Sequence, residues 1–209
     1  MKEKSRRGRP KGTGRNGQIK YLTDDQLERF MKAVRQSKRD DFLFSLMLYV
    51  GARVAEIANL KLEDVNEESN QILIRGVKSG RTRVYTMPGK LWKKYKRWMS
   101  ERVDIEDAEK NPYVFITSHG TYDTGISRDG VQWLFRKYAK QAGIINGYSA
   151  HSIRHTTAIQ RVRAGHSAVR IQKWLRQKQL TSAQIYFDLA GRELQEDENE
   201  AQQVFDKFL

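Results

Sequence analysis

Residues 40–57 read DDFLFSLMLYVGARVAEI. From Phe42 to Val50 the run is apolar apart from Ser45, and neither Pro nor Gly interrupts it. A segment of this length and composition predicts a strongly apolar helix. Gly51 ends it, and residues 53–59 predict a short further helix. Arg53 therefore follows directly on an apolar helix and a Gly. Glu56 lies three residues on, on the same helical face, and taken alone the two read as a surface ion pair.

Upstream, Thr23 reads as an N-cap with Asp24 and Asp25 in the first turn. Leu27, Phe30, Met31 and Val34 then recur at helical spacing to about Arg35. Downstream, Gln71 to Arg75 and Thr82 to Met87 predict two strands, with Ser79-Gly80 as the hairpin turn between them. Leu91 to Arg102 is helical, with Leu91, Trp92, Tyr95 and Trp98 on one face. Tyr113 to Ile116 is a short extended run. Ser127 to Ala142 predicts a helix ended by Gly143, and Ser149 caps another that runs to about Arg163 and closes at Gly165. Residues 167–175, 181–188 and 193–208 predict three more short helices. The expected fold class is α+β: mostly helical, with one small antiparallel β-sheet.

The 209 residues include 39 Lys plus Arg against 25 Asp plus Glu, a formal charge of +14. Residues 1–20 carry a net +7, residues 192–209 a net −4, and the body the remainder. Such an excess points to a polyanionic partner, with double-stranded DNA the first candidate and an acidic membrane surface the second. No apolar run is long enough to span a bilayer, and the basic N-terminus is not followed by a signal-type apolar stretch. The chain has no Cys, which removes disulfides, Cys-zinc sites and thiol nucleophiles together and fits a reducing cytoplasm.

Three short stretches carry chemistry-bearing residues. Arg53 with Glu56 is the first. The second is His151-Ser152-Ile153-Arg154-His155: on a helix His151 and Arg154 face the same way, so an imidazole and a guanidinium can reach one anion. His151 and His155 also have zinc-compatible spacing, but no Glu of the H-E-x-x-H type and no third ligand accompany them. The third is Lys78 in the predicted hairpin.

The order Arg53, Lys78, His151-x-x-Arg154 and Tyr186 resembles the tyrosine recombinases, the phage integrase family. GARVAEIANLKLEDV (51–65) resembles the family's first Arg box. IRGVKSGRTRVYTMP (74–88) resembles the hairpin that carries the catalytic Lys, HSIRHT (151–156) the second box, and WLRQKQLTSAQIY (174–186) the final box ending at the nucleophile. The resemblance covers roughly residues 20–190. It departs in two places. The final box usually reads Leu-Gly-His, whereas here Leu175 is followed by Arg176 and Gln177, so Gln177 stands where His or Trp is expected. Only about 20 residues, eight of them Lys or Arg, precede the catalytic part, so the chain resembles a minimal form without the N-terminal core-binding domain, or an isolated catalytic domain.

The resemblance implies a site-specific recombinase that cleaves and rejoins DNA through a 3′-phosphotyrosyl link, with no metal, cofactor or ATP. It implies that Arg53 and Arg154 hold the phosphate oxygens, that Lys78 is the general acid, and that His151 is the acid/base group. Gln177 would hold a phosphoryl oxygen, and Tyr186 would be the nucleophile. It further implies a homo-oligomer on DNA, a tetramer. Two alternatives stand beside it: strand relaxation of the type IB topoisomerase kind, and a catalytically inactive DNA-binding regulator on the same fold, which Gln177 favours.

The expected organisation is a basic arm over 1–20, the catalytic domain over 21–190, and a C-terminal helix over 191–209, which either packs on its own domain or, as the resemblance implies, docks on a neighbouring protomer. Within the arm, Arg7-Gly8-Arg9-Pro10-Lys11-Gly12 resembles an AT-hook core, which makes Arg7, Arg9 and Lys11 candidate DNA contacts; an unspecific basic tail is the alternative.

Overall fold

The computed structural model describes residues 19–76, 82–117, 124–145 and 147–191. Its elements run α1 (Asp24–Val34), α2 (Lys38–Val50), α3 (Val54–Ala58), β1 (Val65–Asn66), β2 (Gln71–Ile74), β3 (Arg83–Thr86), α4 (Gly89–Arg102), α5 (Arg128–Gln141), α6 (Ala150–Arg163) and α7 (Ala168–Trp174). A further helical stretch, α8, occupies 181–191. The expectations for the arm, for the Ser79-Gly80 turn with Lys78, and for a helix over 193–208 fall outside the described residues.

The apolar stretch becomes the central helix. In α2, Phe42, Leu43, Phe44, Leu46, Met47 and Val50 are buried on more than one face, because α1, α4 and α6 all pack against it. Ser37 caps its start, accepting from the Asp40 N–H at 3.3 Å. The two acids behind the cap are buried yet partnered, as buried carboxylates must be. Asp40 accepts from the Tyr138 hydroxyl of α5 at 2.7 Å and from Arg39 at 2.8 Å, and Asp41 pairs with Lys94 of α4 at 2.5 Å. Thr23 and Gln26 form the capping box of α1. The aromatic core of Phe30, Phe42, Phe44, Phe115 and Phe135 closes around these helices, with Phe30 edge-on to Phe44 at a centroid distance of 5.1 Å.

The sheet has three antiparallel strands in the order β1-β2-β3, one more than the sequence predicts. Val65 pairs with Ile72, and Ile72 pairs with Tyr85. A two-residue strand such as β1 has too few positions for alternation to register. The extended run at Tyr113 to Ile116 does not join the sheet. It lies beside residues 60–62, with Val114 N–H donating to the Leu60 carbonyl at 2.9 Å. Trp98 and Arg102 of α4 hold it there by donating to the carbonyls of Val114 and Tyr113.

A second, smaller apolar cluster carries the C-terminal part. Ala158 and Ile159 of α6, Ile171 and Leu175 at α7, and Ala183 and Tyr186 of α8 are all buried in it. Gly51 joins the two clusters. It ends α2 at φ 61, and a Cβ there would overlap the Leu175 side chain and crowd Thr157. Gly51→Ala therefore combines left-handed backbone strain with overpacking and should lower unfolding stability by about 2–4 kcal/mol. Gly165, at φ 77 with open space around it, supplies the control. Gly165→Ala should cost only the backbone part, about 1–2 kcal/mol. Urea unfolding of the two variants checks the order, and equal losses would contradict the packing of Gly51 on Leu175.

Candidate active site

The site forms where three chain reversals meet: the turn after α2, the start of α6 and the loop after α7. A cleft of about 520 Å³ is lined there by Arg53, His151, Arg154, His155, Gln177, Lys178 and Tyr186, among others. Five of the six residues expected from the sequence thus converge. The sixth, Lys78, lies outside the described residues, as do Arg7, Arg9 and Lys11.

Arg53 stands at the N-cap of α3 with extended backbone. Its N–H donates to Glu56 Oε2 at 2.8 Å, and its guanidinium donates to Oε1 at 2.9 Å. The expected pair exists, but it is not a surface pair. The Glu56 side chain is 1% exposed, and it also binds the guanidinium of Arg176. One buried carboxylate therefore serves two arginines, which removes most of the penalty of burying it.

Helix α6 supplies His151, Arg154 and His155. Ser149 occupies the N-cap, its N–H donating to Ser152 Oγ at 3.2 Å. Arg154 is 2% exposed, and its two terminal nitrogens donate to the carbonyls of Gly51 at 2.5 Å and Leu175 at 2.6 Å. The guanidinium thus fastens the Arg53 turn to the Gln177 loop. Burial first, and then the nearby Arg53 charge, lower its pKa to about 10, so it stays cationic at neutral pH.

The zinc-compatible spacing of His151 and His155 serves another purpose. Their rings meet edge to face at a centroid distance of 4.7 Å, and His155 Nδ1 lies 3.1 Å from the Tyr186 hydroxyl. His155 is the contact that the sequence reading misses; its helical spacing from His151 places it on the same wall, and only the position of α8 reveals its neighbour. Burial raises the pKa of Tyr186, while the Arg154 charge, a hydrogen bond from Gln177 and the Arg53 charge pull it back. The phenol is therefore protonated at rest, among groups that stabilise its anion.

Both imidazoles are held neutral. Burial, Arg154 and Arg53 lower His151 to about 4, and burial, His151 and Arg154 lower His155 to about 3. An unfolded chain binds these protons near its ordinary value of about 6.5, before the folded chain does. Stability from the neutral imidazoles is thus fully present above about pH 6.5 and is lost as the pH falls toward 4. The urea midpoint should drop between pH 7.5 and pH 5, above the range where most carboxylates titrate, and the drop should shrink in His155→Asn. A midpoint that does not move over this interval would contradict the burial of the two rings.

The phage integrase family matches residues 20–193. The tyrosine recombinase XerA of Pyrococcus furiosus is 30% identical over 178 residues, which are 85% of this chain and 60% of that protein. The type 1 fimbriae regulatory protein FimE of Escherichia coli K12 is 26% identical over 159 residues, 75% of this chain and 79% of that protein. A crystal structure of XerA recombinase superposes with a TM-score of 0.72 at 27% identity, covering 85% of this chain and 63% of that one. XerH recombinase bound to palindromic difH substrate shares the fold, with a TM-score of 0.71 at 22% identity, over 90% of this chain and 53% of that one. The chain spans about 60% of the length of the XerA relatives it matches. With a match across residues 20–193, the chain belongs to the phage integrase family.

Proposed function

We propose that the protein is a site-specific DNA recombinase that cleaves and rejoins strands through a 3′-phosphotyrosyl intermediate. The observation that carries this reading is the convergence of Arg53, His151, Arg154, Gln177 and Tyr186 on one cleft. The +14 charge of the chain supports a DNA partner.

The chemistry follows from the residue types. The Tyr186 oxygen attacks the scissile phosphorus in line, and the bond to the 5′ oxygen breaks. Negative charge spreads over the non-bridging oxygens, where the planar donor forks of Arg53 and Arg154 match it. Donors fixed in advance lower such a barrier, and loss of one costs on the order of 10²–10³-fold. Lys78 gives a proton to the leaving 5′ oxygen, His151 as the acid/base group takes up the proton that the Tyr186 phenol releases, and Gln177 donates to a phosphoryl oxygen. The phosphotyrosyl link keeps the bond energy, so rejoining to a partner strand requires neither ATP nor a metal ion. Assembly as a tetramer on DNA, an arm over 1–20 with Arg7, Arg9 and Lys11 in the minor groove, and a C-terminal helix over 191–209 that docks in trans complete the reading.

A nicked duplex drawn from the protein's own genomic neighbourhood serves as a suicide substrate: the short product strand diffuses away and traps the covalent protein–DNA adduct. Tyr186→Phe should abolish the adduct and leave DNA binding nearly intact, since the phenol oxygen alone is removed. An adduct that survives in Tyr186→Phe would mean another nucleophile, and wild-type protein that binds DNA but never forms one would favour the inactive regulator.

Gln177 acts by hydrogen bonding in this scheme, because an amide cannot carry a proton or a charge. Gln177→His should then cleave within about tenfold of wild type, or about 1.4 kcal/mol of barrier. Gln177→Ala leaves one oxygen short of a donor and should cost on the order of 10²-fold. Single-turnover cleavage compares the three, and an Ala variant as fast as wild type would remove Gln177 from the site.

A further inference from the structure

Arg176 is used by none of the chemistry above, yet it is among the most constrained residues of the chain. It adopts φ 54, in the left-handed region. That conformation is unfavourable for a non-glycine residue and suits the Gly more usual at this point of the final box. Its side chain is 2% exposed and is paired with the 1% exposed side chain of Glu56. A second nitrogen donates to the Tyr85 hydroxyl of β3 at 2.5 Å, and that hydroxyl donates to the Trp174 carbonyl at 2.7 Å. A surface arginine displaced by chance would not meet a buried carboxylate and a buried phenol together.

The charges around Glu56 show what this pairing does. Glu56 is the one carboxylate paired with Arg53 among the described residues: one oxygen accepts from the Arg53 guanidinium and the other from the Arg53 backbone N–H. If Arg53 were its sole partner, a large share of the Arg53 charge would be cancelled where an anion is to bind. Opposite charges at contact interact strongly in a site screened from water. With Arg176 also on the carboxylate, two guanidiniums share the one negative charge of Glu56, and the Arg154 guanidinium, held by backbone carbonyls, adds a third positive charge to the cleft. The surplus is permanent, because Arg does not titrate near neutral pH.

We propose that Arg176 is a positioning residue: by neutralising Glu56 from behind, it lets Glu56 orient Arg53 while the Arg53 charge stays available to a phosphodiester in the cleft. The inference rests on the recombinase reading. It makes Arg176 a remote source of the cationic character that Gln177, as an amide, does not bring.

The test uses four proteins, each spanning residues 1–209: wild type, Arg176→Gly, Arg176→Lys and Glu56→Gln/Arg176→Gly. Glycine suits the backbone at 176, so its substitution removes the charge without adding strain. Single-turnover cleavage is measured on a nicked duplex with a normal scissile phosphate, and on one with a methylphosphonate there, which lacks the negative charge. Arg176→Gly should lose roughly 10–100-fold on the phosphodiester, less than expected for loss of a direct donor. It should lose much less on the methylphosphonate. Arg176→Lys should keep most of the activity. The double variant removes both charges of the pair and should recover most of what the single variant loses. No loss in Arg176→Gly, an equal loss on both substrates, or a double variant no better than the single would each overturn the proposal. Should Arg176→Gly fail to fold, Arg176→Asn, which also tolerates the left-handed region, replaces it in every comparison.

Thermal stabilisation by inorganic pyrophosphate separates this inference from the recombinase reading, since it needs neither cleavage nor a DNA site. Wild type should be stabilised more than Arg176→Gly, with the difference regained in the double variant. Such a pattern in a wild type that never cleaves would overturn the recombinase reading and leave the role of Arg176 standing. Equal stabilisation of all proteins would overturn that role.

Discussion

The buried guanidinium of Arg154 is the constraint on which the rest of the site depends. It has left water almost completely, and a charge can do so only with its donors satisfied. Its partners are two backbone carbonyls, Gly51 and Leu175, which lie far apart in sequence and next to the residues that matter. Gly51 precedes the Arg53 turn, and Leu175 precedes Arg176 and Gln177. One side chain therefore ties together two walls of the cleft. The left-handed turn at Gly51 helps to present the carbonyl, and the absence of a Cβ there lets Leu175 approach.

Glu56 carries the same logic into electrostatics. A lone buried carboxylate beside Arg53 would orient that arginine at the expense of its charge. Shared between Arg53 and Arg176, it orients with less cancellation. The histidines contribute no charge at neutral pH, because burial and the neighbouring guanidiniums hold them neutral. Tyr186 completes the arrangement from α8. Its ring is anchored in the small apolar cluster of α6, α7 and α8, and its hydroxyl reaches His155. An incoming phosphate would meet fixed positive charge and a protonated phenol whose anion that charge favours.

Much of this was legible in the sequence, for physical reasons. The apolar run at 42–50, the capping residues Thr23 and Ser127, and the glycines 51, 143 and 165 are strong local signals, and the helices they predict are present. The site residues were legible because His151-x-x-Arg154 lies on one helix and Arg53 follows a Gly. What local reasoning misses depends on distant partners. Glu56 reads as a surface ion because Arg176, 120 residues away, cannot be seen beside it. His155 reads as a weak metal candidate because its neighbour Tyr186 arrives from α8. Strand β1 is too short to show a period, and Tyr113 to Ile116 looks like a strand but is held by side chains of α4.

In the reaction we propose, Tyr186 becomes covalently joined to DNA. Protein trapped on a nicked duplex, digested with nuclease and protease and sequenced by tandem mass spectrometry, tests it most directly. The expected product is a nucleotide remnant linked through a 3′ phosphate to the Tyr186 oxygen. A remnant on another tyrosine, such as Tyr148 or Tyr138, or a 5′ linkage would contradict it.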